Sequence, residues 1–145
     1  MTESQNNPIL TGNRAKRPVL LTILCILTFI GSGSGSVSFL MIFGSYNEVL
    51  PLMQDYASTF PAIKQIMEAP KNFFLAGFLF YIFSLTGASL MWKLKKAGFH
   101  FYTGAQVMIV LLPVFFIRDF PLPIFDGLIA ASFIALYFSN YKFLS

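Results

Sequence analysis

Residues 19–43 read VLLTILCILTFIGSGSGSVSFLMIF, twenty-five consecutive positions without a charge. As one α-helix they extend about 37 Å at 1.5 Å per residue. The hydrocarbon core of a bilayer is about 30 Å thick and takes ~20 apolar residues to cross. The stretch is therefore long enough to span a membrane with some tilt or bend. Pro18 stands just ahead of it, where a proline is tolerated because the first N–H groups of a helix have no partner.

Three more apolar stretches follow: residues 73–92, about 99–117 and about 122–141. None carries a charge at its centre. The whole chain agrees with this reading. Of its 145 residues 56% are hydrophobic and 11% charged, against about 25% charged in a soluble domain. Mean hydropathy is +0.69. These values exclude a soluble domain, a disordered chain and a disulfide scaffold. The expected fold is an all-α integral membrane protein, a four-helix bundle formed by residues 18–145. A polar, basic tail, residues 1–17, precedes it, and its first 13 residues are expected to be disordered.

Lysines and arginines set the orientation, because cytoplasmic flanks carry the excess. Arg14, Lys16, Arg17, Lys93, Lys95, Lys96 and Lys142 fall on one side with Glu3. Lys64, Lys71 and Arg118 fall on the other with Glu48, Asp55, Glu68, Asp119 and Asp126. The two sides carry +6 and −2, which places both termini in the cytoplasm. Trp92, Tyr102, Tyr137 and Tyr141 fall near the cytoplasmic boundary, where amphipathic rings anchor. A cleaved signal peptide does not fit, since the run after Arg17 is too long and lacks a prompt small-residue cleavage site. The expected location is a bacterial inner membrane.

The outer loop, residues 44–72, reads as two short amphipathic helices that cap the outer end of the bundle. Val49, Leu50, Leu52 and Met53 form one apolar side. Phe60, Ile63, Ile66 and Met67 form the other at helical spacing, with Pro61 as a start and Pro70 as a stop. The alternative is a docking surface. Lys93 to Gly98 forms a short cytoplasmic loop, with Gly98 expected to end a helix. Its lysines set topology; the alternative is attraction of anionic lipid. Pro121 and Pro123 forbid a continuous helix between the last two spans.

Small residues dominate the candidate contacts. Gly31, Gly33 and Gly35 alternate with Ser32, Ser34 and Ser36 in span one. Such residues let helices approach closely in lipid, and serines bond across the contact. The alternative for this tract is an unwound segment beside a polar cavity, since irregular backbone survives at that depth only inside protein or against water. Span two offers Ser84 and Ala88 beside Gly87. Span four repeats Gly127, Ala131, Ala135 and Ser139 at intervals of four. These faces are expected to meet span one or, alternatively, another subunit.

Two polar residues are the candidates for a site. Asp126 stands in the first turn of span four, where the helix dipole favours an acid; the sharper alternative is an ion or proton site. Gln106 in span three is expected to bond between helices, and Pro113 to kink that helix. His100 is the sole histidine, and no carboxylate cluster accompanies it, so no metal site is expected. Cys25 is the sole cysteine, which excludes an internal disulfide. There is no Ser–His–Asp set, phosphate loop or HExxH. The small four-span multidrug exporters carry a Glu within the first helix, and vitamin K-type quinone reductases need paired cysteines; this chain has neither.

No catalytic site and no cofactor are therefore expected. The basic residues flank apolar spans and form no separate patch, so no nucleic-acid partner is expected either. The expected partners are the lipid bilayer and other membrane subunits. The first functional expectation is a non-catalytic accessory or scaffold subunit of a larger membrane complex. The alternative is a small transporter or channel built around the Gly/Ser tract and Asp126.

Overall fold

The hydrogen-bonding demand of a lipid-embedded backbone leaves helices and closed barrels as the spanning structures. The computed structural model, which describes residues 17–145, is all helical. In chain order the helices are α1 (Val19–Gly44), α2 (Tyr46–Ala57), α3 (Pro61–Met67), α4 (Lys71–Trp92), α5 (Ala97–Phe116) and α6 (Ile124–Ser139), with a final 3₁₀ turn at Tyr141–Phe143. Helices α1, α4 and α5 are each long and apolar enough to cross a membrane. The fourth apolar helix, α6, has 16 residues, about 24 Å. It is shorter than the expected 122–141 at both ends: Pro121 and Pro123 delay its start, and it stops at Ser139 ahead of the 3₁₀ turn. The tail expectations, including the roles of Arg14 and Lys16, lie outside the described residues.

The Gly/Ser tract is regular helix. Ser34 Oγ donates to the Gly31 carbonyl at 3.0 Å and Ser36 Oγ to the Gly33 carbonyl at 2.9 Å. These bonds close each serine onto the preceding turn and leave the helix unbroken. The unwound alternative is not what this segment adopts.

Helix α4 lies against both α1 and α5, while α6 leans more lightly on α5 and α1. The contact seam is small and polar. In α1 the buried residues are Leu21, Leu24, Cys25, Thr28, Ser32 and Ser36, three or four apart along one stripe. Large apolar side chains point outward instead: Ile30, Phe125 and Phe138 are 65%, 82% and 64% exposed. Large apolar side chains on the outside are what lipid solvation permits, because the lipid face gains nothing from being hidden.

Aromatic and aliphatic clusters close the two ends. At the basic end Leu21, Leu24, Cys25, Met91, Tyr102, Tyr137 and Leu144 pack together. The last residue is tied to the α4–α5 turn: Ser145 N–H donates to the Leu94 carbonyl and Lys96 N–H to the Ser145 carbonyl. At the other end Ala69, Phe73, Phe74, Leu112 and Ile117 pack with Phe39, Tyr46 and Ile66. Tyr46 Oη donates to the Ala69 carbonyl at 2.9 Å, which pulls the α2–α3 segment onto this cluster. Helix α2 itself buries no residue. Pro61 begins α3 and Pro70 precedes α4, as their fixed φ favours.

Gly98 corrects one expectation. It lies inside α5 and no glycine among the described residues has positive φ; the turn is made by Leu94 at φ 60°. Gly98 is small because α4 passes against it, not because a helix ends there.

Candidate functional site

Between the two packed ends α1, α4, α5 and α6 line a cavity of about 420 Å³. It follows from the sequence. Glycines and serines on α1 leave volume that no side chain fills. Pro113 on α5 cannot donate to the Ile109 carbonyl, and both residues line the space. Helix α6 contributes Asp126, Ile129, Ala130 and Phe133.

Both candidate polar residues reach this cavity. Gln106 is half-buried and donates from Nε2 to Tyr102 Oη at 3.1 Å. This partner is one turn away on its own helix, so the expected bond between helices is replaced by one within α5. Asp126 is exposed in the first turn of α6, without a side-chain cap. It is the one charged residue among the described lining, which contains no lysine or arginine.

The glycines separate. A Cβ at Gly35 would stand 2.6 Å from Cε1 of Tyr81, so that ring occupies the space the glycine leaves. A Cβ at Gly31 or Gly33 would meet nothing within 4 Å, and Gly31 lines the cavity. Ser84 is fully buried and shares a 2.8 Å hydroxyl bond with Ser32. Ala88 is fully buried and its carbonyl accepts a long contact from Cys25 Sγ. At Gly127 an added Cβ would make an ordinary 3.8 Å contact with Val110.

The small stripe of α6 does not meet α1. Ala131, Ala135 and Ser139 are exposed, and the face turned inward is Ala130 and Tyr137. The packing face is decided by the tyrosine, whose hydroxyl needs a partner inside the bundle. Thr28 Oγ1 supplies it at 2.8 Å.

Tyr102 and Tyr137 sit in the cluster at the basic end and turn into the bundle. They are 1% and 0% exposed, with ring centroids 4.7 Å apart in an edge-to-face pair. Sequence reading passed over Thr28, Tyr81, Tyr102 and Tyr137 as site residues. Helical spacing carried a signal: Thr28 is three from Cys25 and four from Ser32, and Tyr102 is four from Gln106. Trp92 does carry a cation, with the Arg17 guanidinium 4.2 Å over its ring.

Among the described residues no group of three His, Cys, Asp or Glu side chains converges as a metal site would require. No protein-family model matches the chain, and no curated protein or solved structure shows significant similarity to it.

Proposed function

We propose that this membrane protein is a non-catalytic accessory or scaffold subunit of a larger membrane assembly. The observation that carries the reading is the outward stripe of α6, where Ala131, Ala135 and Ser139 are exposed. Bulky side chains such as Leu128, Ile129 and Phe138 flank this stripe and suit lipid. A Gly/Ala/Ser stripe suits the close approach of another helix. In this reading α6 and its flanks, residues 122–141, form a fourth span, and a partner covers a helix that is short for the bilayer. Both termini face the cytoplasm of a bacterial inner membrane, with Lys93, Lys95, Lys96 and Lys142 on that side.

The test is purification from native membranes in mild detergent, with identification of stoichiometric companions. Ala131→Leu combined with Ala135→Leu is expected to release the companion while the chain itself stays folded. Recovery of the unmodified chain alone, in a monodisperse form, overturns the subunit reading.

A second reading, a small transporter or channel, is favoured by one observation. Gly31, Ser32, Gln106 and Asp126 all line a single cavity. Solute flux in proteoliposomes containing only this chain would distinguish it from the first.

A further inference from the structure

We infer that the cavity between α1, α4, α5 and α6 is a binding site for a small organic cation with an apolar body. The inference goes beyond the subunit reading and does not require that the bound molecule cross the membrane. Its volume of about 420 Å³ lies within the range of small-molecule sites, which are mostly apolar with a few placed polar groups. The walls fit that description. Phe39, Phe73 and Phe133 supply apolar and aromatic surface, and Tyr81 adds a ring with a polar tip.

The polar groups select the ligand's charge. Thr28 and Ser32 are already bonded, to Tyr137 and Ser84. Gln106 commits its amide N–H to Tyr102. What this leaves along the cavity includes the other end of the Gln106 amide, the Tyr81 hydroxyl and the Asp126 carboxylate, the one charge in the described lining. No lining cation among the described residues neutralises Asp126. An anion would meet an uncompensated carboxylate. A neutral apolar molecule would leave these polar groups unanswered. A cation satisfies the carboxylate and is attracted by aromatic ring faces as well. Asp126 is exposed, so the charged end of the ligand sits toward the surface and its apolar end among the rings.

Two matched probes test this. Benzyltrimethylammonium carries a permanent charge, and neopentylbenzene is its uncharged isostere. Each is titrated calorimetrically into the full chain in a non-ionic detergent, against protein-free micelles. Saturable binding of the cation is expected, with at least tenfold weaker affinity for Asp126→Asn. Gly31→Leu, which meets no neighbour where its Cβ begins, is expected to fill the cavity and abolish binding. Circular dichroism and thermal melting establish that each variant is folded; if Asp126→Asn is not, Gly31→Leu decides. Absence of saturable cation binding overturns the proposal. So does equal affinity for the two probes, which marks an apolar void, or undiminished cation binding in a folded Asp126→Asn or Gly31→Leu chain. Failure here leaves the co-purification result untouched, so the two readings fall separately.

Discussion

Gly87 on α4 and Gly98 on α5 face each other so closely that each backbone fills the other's missing side chain. A Cβ on Gly87 would lie 2.6 Å from Tyr102 N and 2.9 Å from the Gly98 carbonyl oxygen; one on Gly98 would lie 2.5 Å from the Gly87 carbonyl oxygen. The obstacles are main-chain atoms, which cannot rotate aside. This contact sets the distance between α4 and α5 near their connecting turn.

Gly87→Ala and Gly98→Ala are therefore each expected to destabilise the bundle, by about 1–3 kcal/mol, as overpacking does. Thermal unfolding in detergent measures it. Gly31→Ala, into open space, serves as the control and is expected to melt no lower than the parent, since alanine favours the helix. Equal melting of all three would mean that the helices separate more easily than this contact implies.

The apolar spans were legible because lipid imposes a length and forbids central charge. The residues that touch were less so. Gly35, Ser84 and Ala88 could be chosen because they are small, but size does not tell which small residues meet. Gly31 and Gly33 share the tract with Gly35 and point elsewhere around the helix, 100° per residue. The stripe Gly127, Ala131, Ala135 suits either span one or another subunit, and spacing alone does not choose; Tyr137, on a neighbouring line of the same helix, turns inward. Tyrosine position along a span suggested an interfacial anchor. Burial and a partner at Thr28 are tertiary facts, created by helices brought together from more than a hundred residues apart.

The Ser32–Ser84 bond joins α1 to α4 at full burial of Ser84. Ser84→Ala leaves Ser32 without its partner, and the expected cost is about 0.6 kcal/mol and at most ~1.7, the range found for bonds between membrane helices. Ser32→Ala is expected to cost a similar amount. The double variant is expected to cost less than the two together, since one bond is lost once. A double-variant cycle on unfolding free energies checks this, and strict additivity would show that the hydroxyls do not act as a pair.

Orientation has its own test. The seven basic residues assigned to one side predict that single cysteines at Ser4 and Ser145, in a Cys25→Ser background, react with a membrane-impermeant maleimide only after the cells are opened. Reaction at either position in intact cells would reverse or break the four-span arrangement.

Asp126 separates a fold role from a ligand role. It stands in the first turn of α6, where unpaired N–H groups carry partial positive charge and favour an acid. It is exposed, and no lysine or arginine lines the cavity beside it among the described residues. Removing its charge therefore breaks no buried ion pair within that lining. Asp126→Asn keeps the size of the side chain and loses only the charge–dipole attraction. The expected cost is ~0.3–1 kcal/mol, read as a small drop in melting temperature with unchanged helical content. Added salt screens an exposed charge, so the difference between parent and variant should shrink as ionic strength rises. A loss of several kcal/mol that persists at high salt would instead mean that the carboxylate is held by partners inside the bundle. It would then serve the fold first, and the cavity would have no free acid to offer a cation.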